Sequence, residues 1–210
     1  MESKSVTNYR YKYKFCPFCG RELKISVNDK NSPSRLVCIA CGFIDYQDPK
    51  LVVNTIIEFD GKIIMLKRDR KFGSGKWSFP GGYMDRGETL EGAAKREAKE
   101  ECGVDIDIKY LLGLYSYYGK CEIVAIFVAK YLSGNMIAGD ETSDIKLMGL
   151  QEIPWDNLAF PSITLALRDY SLKSGFPGGI CYSADEVTRK VRVLLPQRDH
   201  EEYGLEEQEH

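Results

Sequence analysis

The sequence lacks any apolar run long enough to cross a bilayer, and its opening, MESKSVTNYRYKYKF, lacks the apolar core of a secretion signal. A cytoplasmic protein is the expectation. A strong charge of either sign is also missing. With 31 acidic residues against 29 basic ones, the formal charge is −2, and nothing in that balance calls for a membrane or a polyanion as partner. Nor is there an even set of cysteines. Seven is wrong for a closed disulfide framework, and four of them stand in two tight pairs, which suits a metal in a reducing compartment. What remains is the composition of a folded protein, 43% hydrophobic and 29% charged over 210 residues. That length holds one ordinary core and a small module.

Three regions follow from composition: 1–45 with the cysteine pairs, a main domain over 46–175, and an extension over 176–210 ending in the acidic tail QRDHEEYGLEEQEH. The polar stretch SVNDKNSPSR within the first region reads as a loop. In the main domain, LVVNTIIEF and KIIMLKR form a predicted hairpin through Asp60-Gly61, and KYLLGLYSYYG with EIVAIFVAKYL forms a second strand pair. A helix is predicted from Thr89 to Cys102 with Gly103 closing it, then a strand at IKLMGL and a helix at SITLALRDYSLK. The order is that of a mixed sheet with helices, an α/β or α+β fold. VTRKVRVLLP is a further candidate strand.

Cys16-Pro-Phe-Cys19-Gly and Cys38-Ile-Ala-Cys41-Gly are twin knuckles in which a two-residue spacing lets both thiolates meet one ion. Four thiolates make a tetrahedral, closed Zn²⁺ site with no position for substrate, hence a structural one. Buried free cysteines would not repeat the pattern, and a redox pair would stand alone before a helix. A region this small depends on the ion for its folding. The neighbouring YRYKYK alternates aromatic and basic residues, a pattern shared by an edge strand and, less often, by a single-stranded nucleic-acid contact. Cys102, Cys121 and Cys181 read as small buried residues.

The helix carries an anomaly. At about 100° per residue, with Leu90 at zero, Ala94 falls near 40°, Glu97 near −20° and Glu101 near 20°, while Glu100 lies near −80° and Lys95 and Lys99 point the opposite way. Two glutamates thus share the apolar face, and all three crowd the helix end that the macrodipole already makes negative. Clustered carboxylates repel and are costly to bury unpaired, so a cation is expected among them. Oxygen ligands of this kind suit Mg²⁺ or Mn²⁺, ions that also take substrate phosphates.

The surrounding segment fits Gly-x5-Glu-x7-Arg-Glu-U-x-Glu-Glu-x-Gly-U, U being apolar, through Gly82, Glu88, Arg96, Glu97, Ala98, Glu100, Glu101, Gly103 and Val104. In this it resembles the Nudix hydrolases over about 46–172. The resemblance implies an α/β/α sandwich on a mixed sheet behind a small zinc ribbon. It makes Glu97 and Glu101 the principal Mg²⁺ or Mn²⁺ ligands, Glu100 a further ligand or base, and the Gly82 carbonyl an additional ligand. Arg96 and Glu88 tie loop to helix. A general base from outside the motif is expected at Glu141, with Asp144 second.

The implied reaction is hydrolysis of the diphosphate in a nucleoside diphosphate linked to another group. YQDPKLVV, WSFPGGY and EIPWDNLAFPSI resemble zinc-ribbon enzymes acting on ADP-ribose or FAD, with AMP as product. NADH pyrophosphatases and NAD-cap RNA hydrolases are the alternative, although the marker SQPWPFP of the NADH pyrophosphatases is absent. The proline that many ADP-ribose pyrophosphatases carry beyond the box is also missing. Tyr115, Tyr117, Tyr118, Trp77 and Phe79 are candidates either for base stacking or for ordinary packing. A nucleotide-sensing regulator with a nucleic-acid-binding ribbon is the reading from another class, but no box carboxylate is lost here. The expected partner is a small nucleotide, with no membrane, no favoured nucleic acid, and a homodimer in keeping with such relatives.

Overall fold

The computed structural model describes residues 13–26, 34–69, 73–117 and 119–172, and the backbone of 180–184 and 191–194. The central part of the expected 26–35 loop, the acidic tail, Tyr118, most of YRYKYK and the side chain of Cys181 lie outside those residues. The chain divides into two compact units, Met1–Pro49 and Lys50–His210.

The first unit is a three-stranded antiparallel sheet of β1 (Lys24–Ser26), β2 (Arg35–Val37) and β3 (Ile44–Asp45). Its core is small: Cys16, Leu23, Leu36 and Cys38 are buried, with Phe43 against them. Apolar burial on that scale does not support a fold alone.

The second unit is built on a nine-stranded mixed sheet. β4 (Lys50–Phe59) and β5 (Lys62–Arg68) meet through Asp60 and Gly61, both at positive φ, as an Asp-Gly hairpin requires. The two strands pair directly only at Glu58↔Ile63 and Phe59↔Lys62. Beyond that they diverge, and β6 (Trp77–Ser78) pairs with β5 while β7 (Gly81–Tyr83) pairs with β4. Helix α1 (Leu90–Cys102) follows, then β8 (Val104–Tyr117), β9 (Glu122–Gly134), β10 (Thr142–Met148), α2 (Pro161–Ser171), β11 (Ile180–Ala184) and β12 (Val191–Leu194). The sheet order is β10-β5-β4-β9-β8-β11-β12, with β4 parallel to β9 and β11 parallel to β8.

Strand alternation gives the sheet two apolar faces. Ile56, Ile63, Met65, Val124, Ile126 and Val128 pack with Ile163, Ala166 and Leu167 of α2. On the opposite face Val53, Ile57, Ile64 and Ala129 pack with Ala93, Ala94, Ala98 and Cys102 of α1. The result is the α/β/α sandwich the sequence implied. Tyr115 is 0% exposed and its hydroxyl donates to Asp169 Oδ2 at 2.8 Å, so it joins β8 to α2 in the core. Trp77 and Phe79 belong to the same core. All three are packing residues. Cys102 is buried as expected, whereas Cys121, just before β9, is only partly covered.

Candidate active site

Thr89 starts α1: its Oγ1 accepts from Gly92 N at 3.0 Å, which satisfies one of the free N–H groups of the first turn. Gly103 ends it at φ 72°, with its N–H turned back to the carbonyls of Ala98 and Lys99. Between these caps, three alanines and Cys102 press the helix close to the sheet, and the short side chains leave room for carboxylates on its flank. Glu97 is only 9% exposed, Glu101 partly covered, and Glu100, Lys95 and Lys99 exposed.

Arg96 and the Gly81 N–H anchor the acids. The Arg96 guanidinium grips both oxygens of Glu88, at 2.7 and 3.0 Å, and donates to Glu97 Oε1 at 2.7 Å, Glu100 Oε2 at 3.1 Å and the Tyr83 carbonyl at 3.1 Å. Glu88 also accepts from Asp85 N at 2.9 Å. That guanidinium, helped by the Asp85 N–H, holds the Glu88 carboxyl down at a pKa of about 2. Arg96 therefore does more than tie loop to helix, because it also offsets the charge of two neighbouring carboxylates. Gly81 N donates to Glu101 Oε2 at 2.8 Å. Gly82 stands against Glu97, and a Cβ there would lie 2.5 Å from Oε1.

Glu97, Glu100 and Glu101 line a cavity of about 270 Å³ with Gly139, Asp140 and Glu141. Gly139 N donates to Glu101 O at 3.1 Å and holds the loop from β9 to β10 against the end of α1, while Asp69 N, just past β5, donates to Glu141 O at 2.9 Å. Glu141 thus reaches the cavity. Asp144 does not line it; this residue lies in β10 and pairs with Lys146 at 3.5 Å. Asp140 lines the cavity without having been expected there, although its place beside Glu141 in GDETSD was the available signal.

Five carboxylates around one cavity form a hard-oxygen donor set that suits a divalent cation. Among the described residues, the cysteine quartet is the group whose ligand atoms all lie within 4.8 Å of one another. The cavity's carboxylates stand farther apart, with the Arg96 guanidinium between Glu97 and Glu100.

In the first unit, Cys16 Sγ lies 3.5 Å from Cys41 Sγ, and Cys19 Sγ 3.4 Å from Cys38 Sγ. Those separations are too long for disulfides and close to the edge of a sulfur tetrahedron around Zn²⁺, about 3.8 Å for Zn–S bonds of about 2.3 Å. The Cys41 N–H lowers the Cys38 thiol to a pKa of about 6.

The family model for the NUDIX domain matches residues 48–167, and one described as Nudix N-terminal, a zinc ribbon, matches 14–47. The chain belongs to the Nudix family. Like its relatives, this Nudix protein is a hydrolase of the pyrophosphatase type. It is 35% identical over 129 residues to the ADP-ribose pyrophosphatase of Methanocaldococcus jannaschii, covering 60% of this chain and 75% of that one. It is 26% identical over 144 residues to the NAD-capped RNA hydrolase NudC of Stutzerimonas stutzeri, 68% of this chain but only half of NudC. A crystal structure of a NUDIX hydrolase from Nitrosomonas europaea superposes with a TM-score of 0.75 at 34% identity, covering 80% of this Nudix chain and 97% of the other. Among the described residues, no helix is long and apolar enough to cross a membrane.

Proposed function

We propose that this Nudix hydrolase cleaves the diphosphate of a nucleoside diphosphate linked to a second group, with ADP-ribose or FAD as substrate and AMP as one product. The observation that carries the reading is the single cavity in which Glu97, Glu100 and Glu101 meet Asp140 and Glu141. An anionic pocket for an anionic substrate makes sense only with cations between them.

Glu97, Glu101 and Glu100 would hold Mg²⁺ or Mn²⁺, with the Gly82 carbonyl beside them. A divalent ion there supplies charge neutralisation to the diphosphate oxygens and acidifies a water molecule. The chain's own groups do the rest. Arg96 and the Gly81 N–H keep Glu97 and Glu101 in fixed orientations, and Glu141 takes the proton of the attacking water. A bond forms from the water oxygen to phosphorus while the bridging P–O bond breaks, and the departing phosphate carries its electron pair away. The four ribbon thiols would hold Zn²⁺ and fold the first unit, in keeping with a reducing compartment such as the cytoplasm.

The relative named as an ADP-ribose pyrophosphatase supports the first substrate, and the one named as an NAD-capped RNA hydrolase supports NAD-capped RNA as an alternative beside NADH. A panel of ADP-ribose, FAD, NADH and NAD-capped RNA, assayed with Mg²⁺ and Mn²⁺ and with product identification, separates them. AMP and ribose 5-phosphate formed fastest from ADP-ribose is the expected result. Absence of Mg²⁺- or Mn²⁺-dependent cleavage across the panel would overturn the reading in favour of a nucleotide sensor.

A further inference from the structure

The Thr55 hydroxyl is among the buried ones that the packing leaves over. Thr55 is 1% exposed, and its Oγ1 is buried without a hydrogen-bond partner among the described residues. Its strand neighbours decide where it points. Val53 packs with Ala93 and Ala94 of α1, and Ile57 with Ala98 and Cys102, while β4 keeps unbroken register with β9 from Lys50 to Glu58. Alternation puts Thr55 on that same face, beneath the middle of α1.

The same residue is tied to the loop that anchors Glu101. Thr55 N donates to Pro80 O at 3.0 Å, and the N–H of the next residue, Gly81, donates to Glu101 Oε2 at 2.8 Å. The Thr55 hydroxyl and the Glu101 carboxylate therefore share one side of the sheet and are fastened to consecutive residues of one segment. A buried hydroxyl with no acceptor is unfavourable, and valine would fill the same space without that penalty. A carboxylate offers about four lone-pair sites, enough for Gly81, a cation and one further donor. Carboxylates that ligate metals are themselves hydrogen-bonded.

We propose that Thr55 is a positioning residue whose hydroxyl donates to Glu101 when α1 holds its divalent cation, setting the carboxylate's orientation. The proposal rests on Glu101 being a metal ligand, and the test separates the two. Mn²⁺ binding is measured by calorimetry on the full-length, zinc-loaded protein for wild type, Thr55→Val, Thr55→Ser and Glu101→Gln, with melting curves recorded without Mn²⁺. Thr55→Val is expected to melt at or above the wild-type temperature yet bind Mn²⁺ about tenfold more weakly, while Thr55→Ser stays within about twofold of wild type.

Wild-type Mn²⁺ affinity in Thr55→Val, alongside lost affinity in Glu101→Gln, would overturn the role of Thr55 and leave Glu101 standing. Wild-type affinity in Glu101→Gln would overturn the ligand assignment itself. Equal weakening in the valine and serine variants would point to the methyl group, and a Thr55→Val protein that melts early or fails to fold would mean the hydroxyl already serves the core. Either outcome removes the proposal.

Discussion

The carboxylate of Glu97 rests against the bare Cα of Gly82, where a Cβ would lie 2.5 Å from Oε1 and 2.7 Å from Cδ. Contacts under 3.0 Å force one partner to move, and here the mobile partner is the end of a glutamate side chain, while Gly82 itself has no left-handed φ. Gly82→Ala should therefore fold with little loss of stability but push Glu97 away from its bond to Arg96. A drop in kcat/KM of at least about tenfold, roughly 1.4 kcal/mol of barrier, is expected with a nearly unchanged Tm.

The clamp between Glu88 and Arg96 makes a pH prediction. The Arg96 guanidinium and the Asp85 N–H hold the folded-state pKa of Glu88 at about 2, below its ordinary 4.5. A depressed carboxyl binds fewer protons in the folded state than in the unfolded one. Its contribution is complete above 4.5 and is lost as pH falls toward about 2. Glu88→Gln should thus be less stable than wild type near neutrality, and the gap should close as pH drops through that window. Urea unfolding at several pH values measures it; a gap constant with pH would contradict the assignment.

The parts legible in the sequence were those whose signals are local and repeated. Thr89, Gly103 and the 3.6-residue spacing of Leu90, Ala94 and Glu97 define α1 without help from the fold. Twin CxxC pairs likewise announce their cluster. β6 and β7, two and three residues long, carry no period to detect, yet they bring Gly81 and Gly82 to the helix. β8 breaks its alternation at three register shifts, so whether Tyr115 faced inward could not be read from its neighbours. Asp140 and Thr55 depend on long-range pairing of β10 with β5 and of β4 with β9, which no local pattern encodes.

Tyr115 distinguishes core from site. Its hydroxyl bonds Asp169 in the interior, and Tyr115→Phe would leave a buried carboxylate one donor short. A loss of about 1.5–3 kcal/mol in unfolding free energy is expected. KM should not change. A raised KM with unchanged stability would instead restore Tyr115 as a substrate contact.

The ribbon answers to its ion. Cys19→Ser replaces one of four sulfurs whose mutual distances already fit a tetrahedral site. Metal analysis should give about one Zn²⁺ per wild-type chain and far less in the variant. Protease should then cut within 1–49 before it cuts the second unit. Unchanged zinc content would contradict the cluster.

Glu101→Gln is the most direct test of the catalytic reading. The amide oxygen can still accept from Gly81 N, so the link between β7 and α1 survives and Tm should move little. What disappears is the negative charge that a divalent cation requires from its ligand. Turnover of ADP-ribose should fall by roughly a hundredfold or more, about 2.7 kcal/mol of barrier. The loss should resist added Mg²⁺ if the carboxylate shapes the transition state, and recede at high Mg²⁺ if it serves affinity alone. Turnover within a few-fold of wild type at low Mg²⁺ would remove Glu101 from the ligand set.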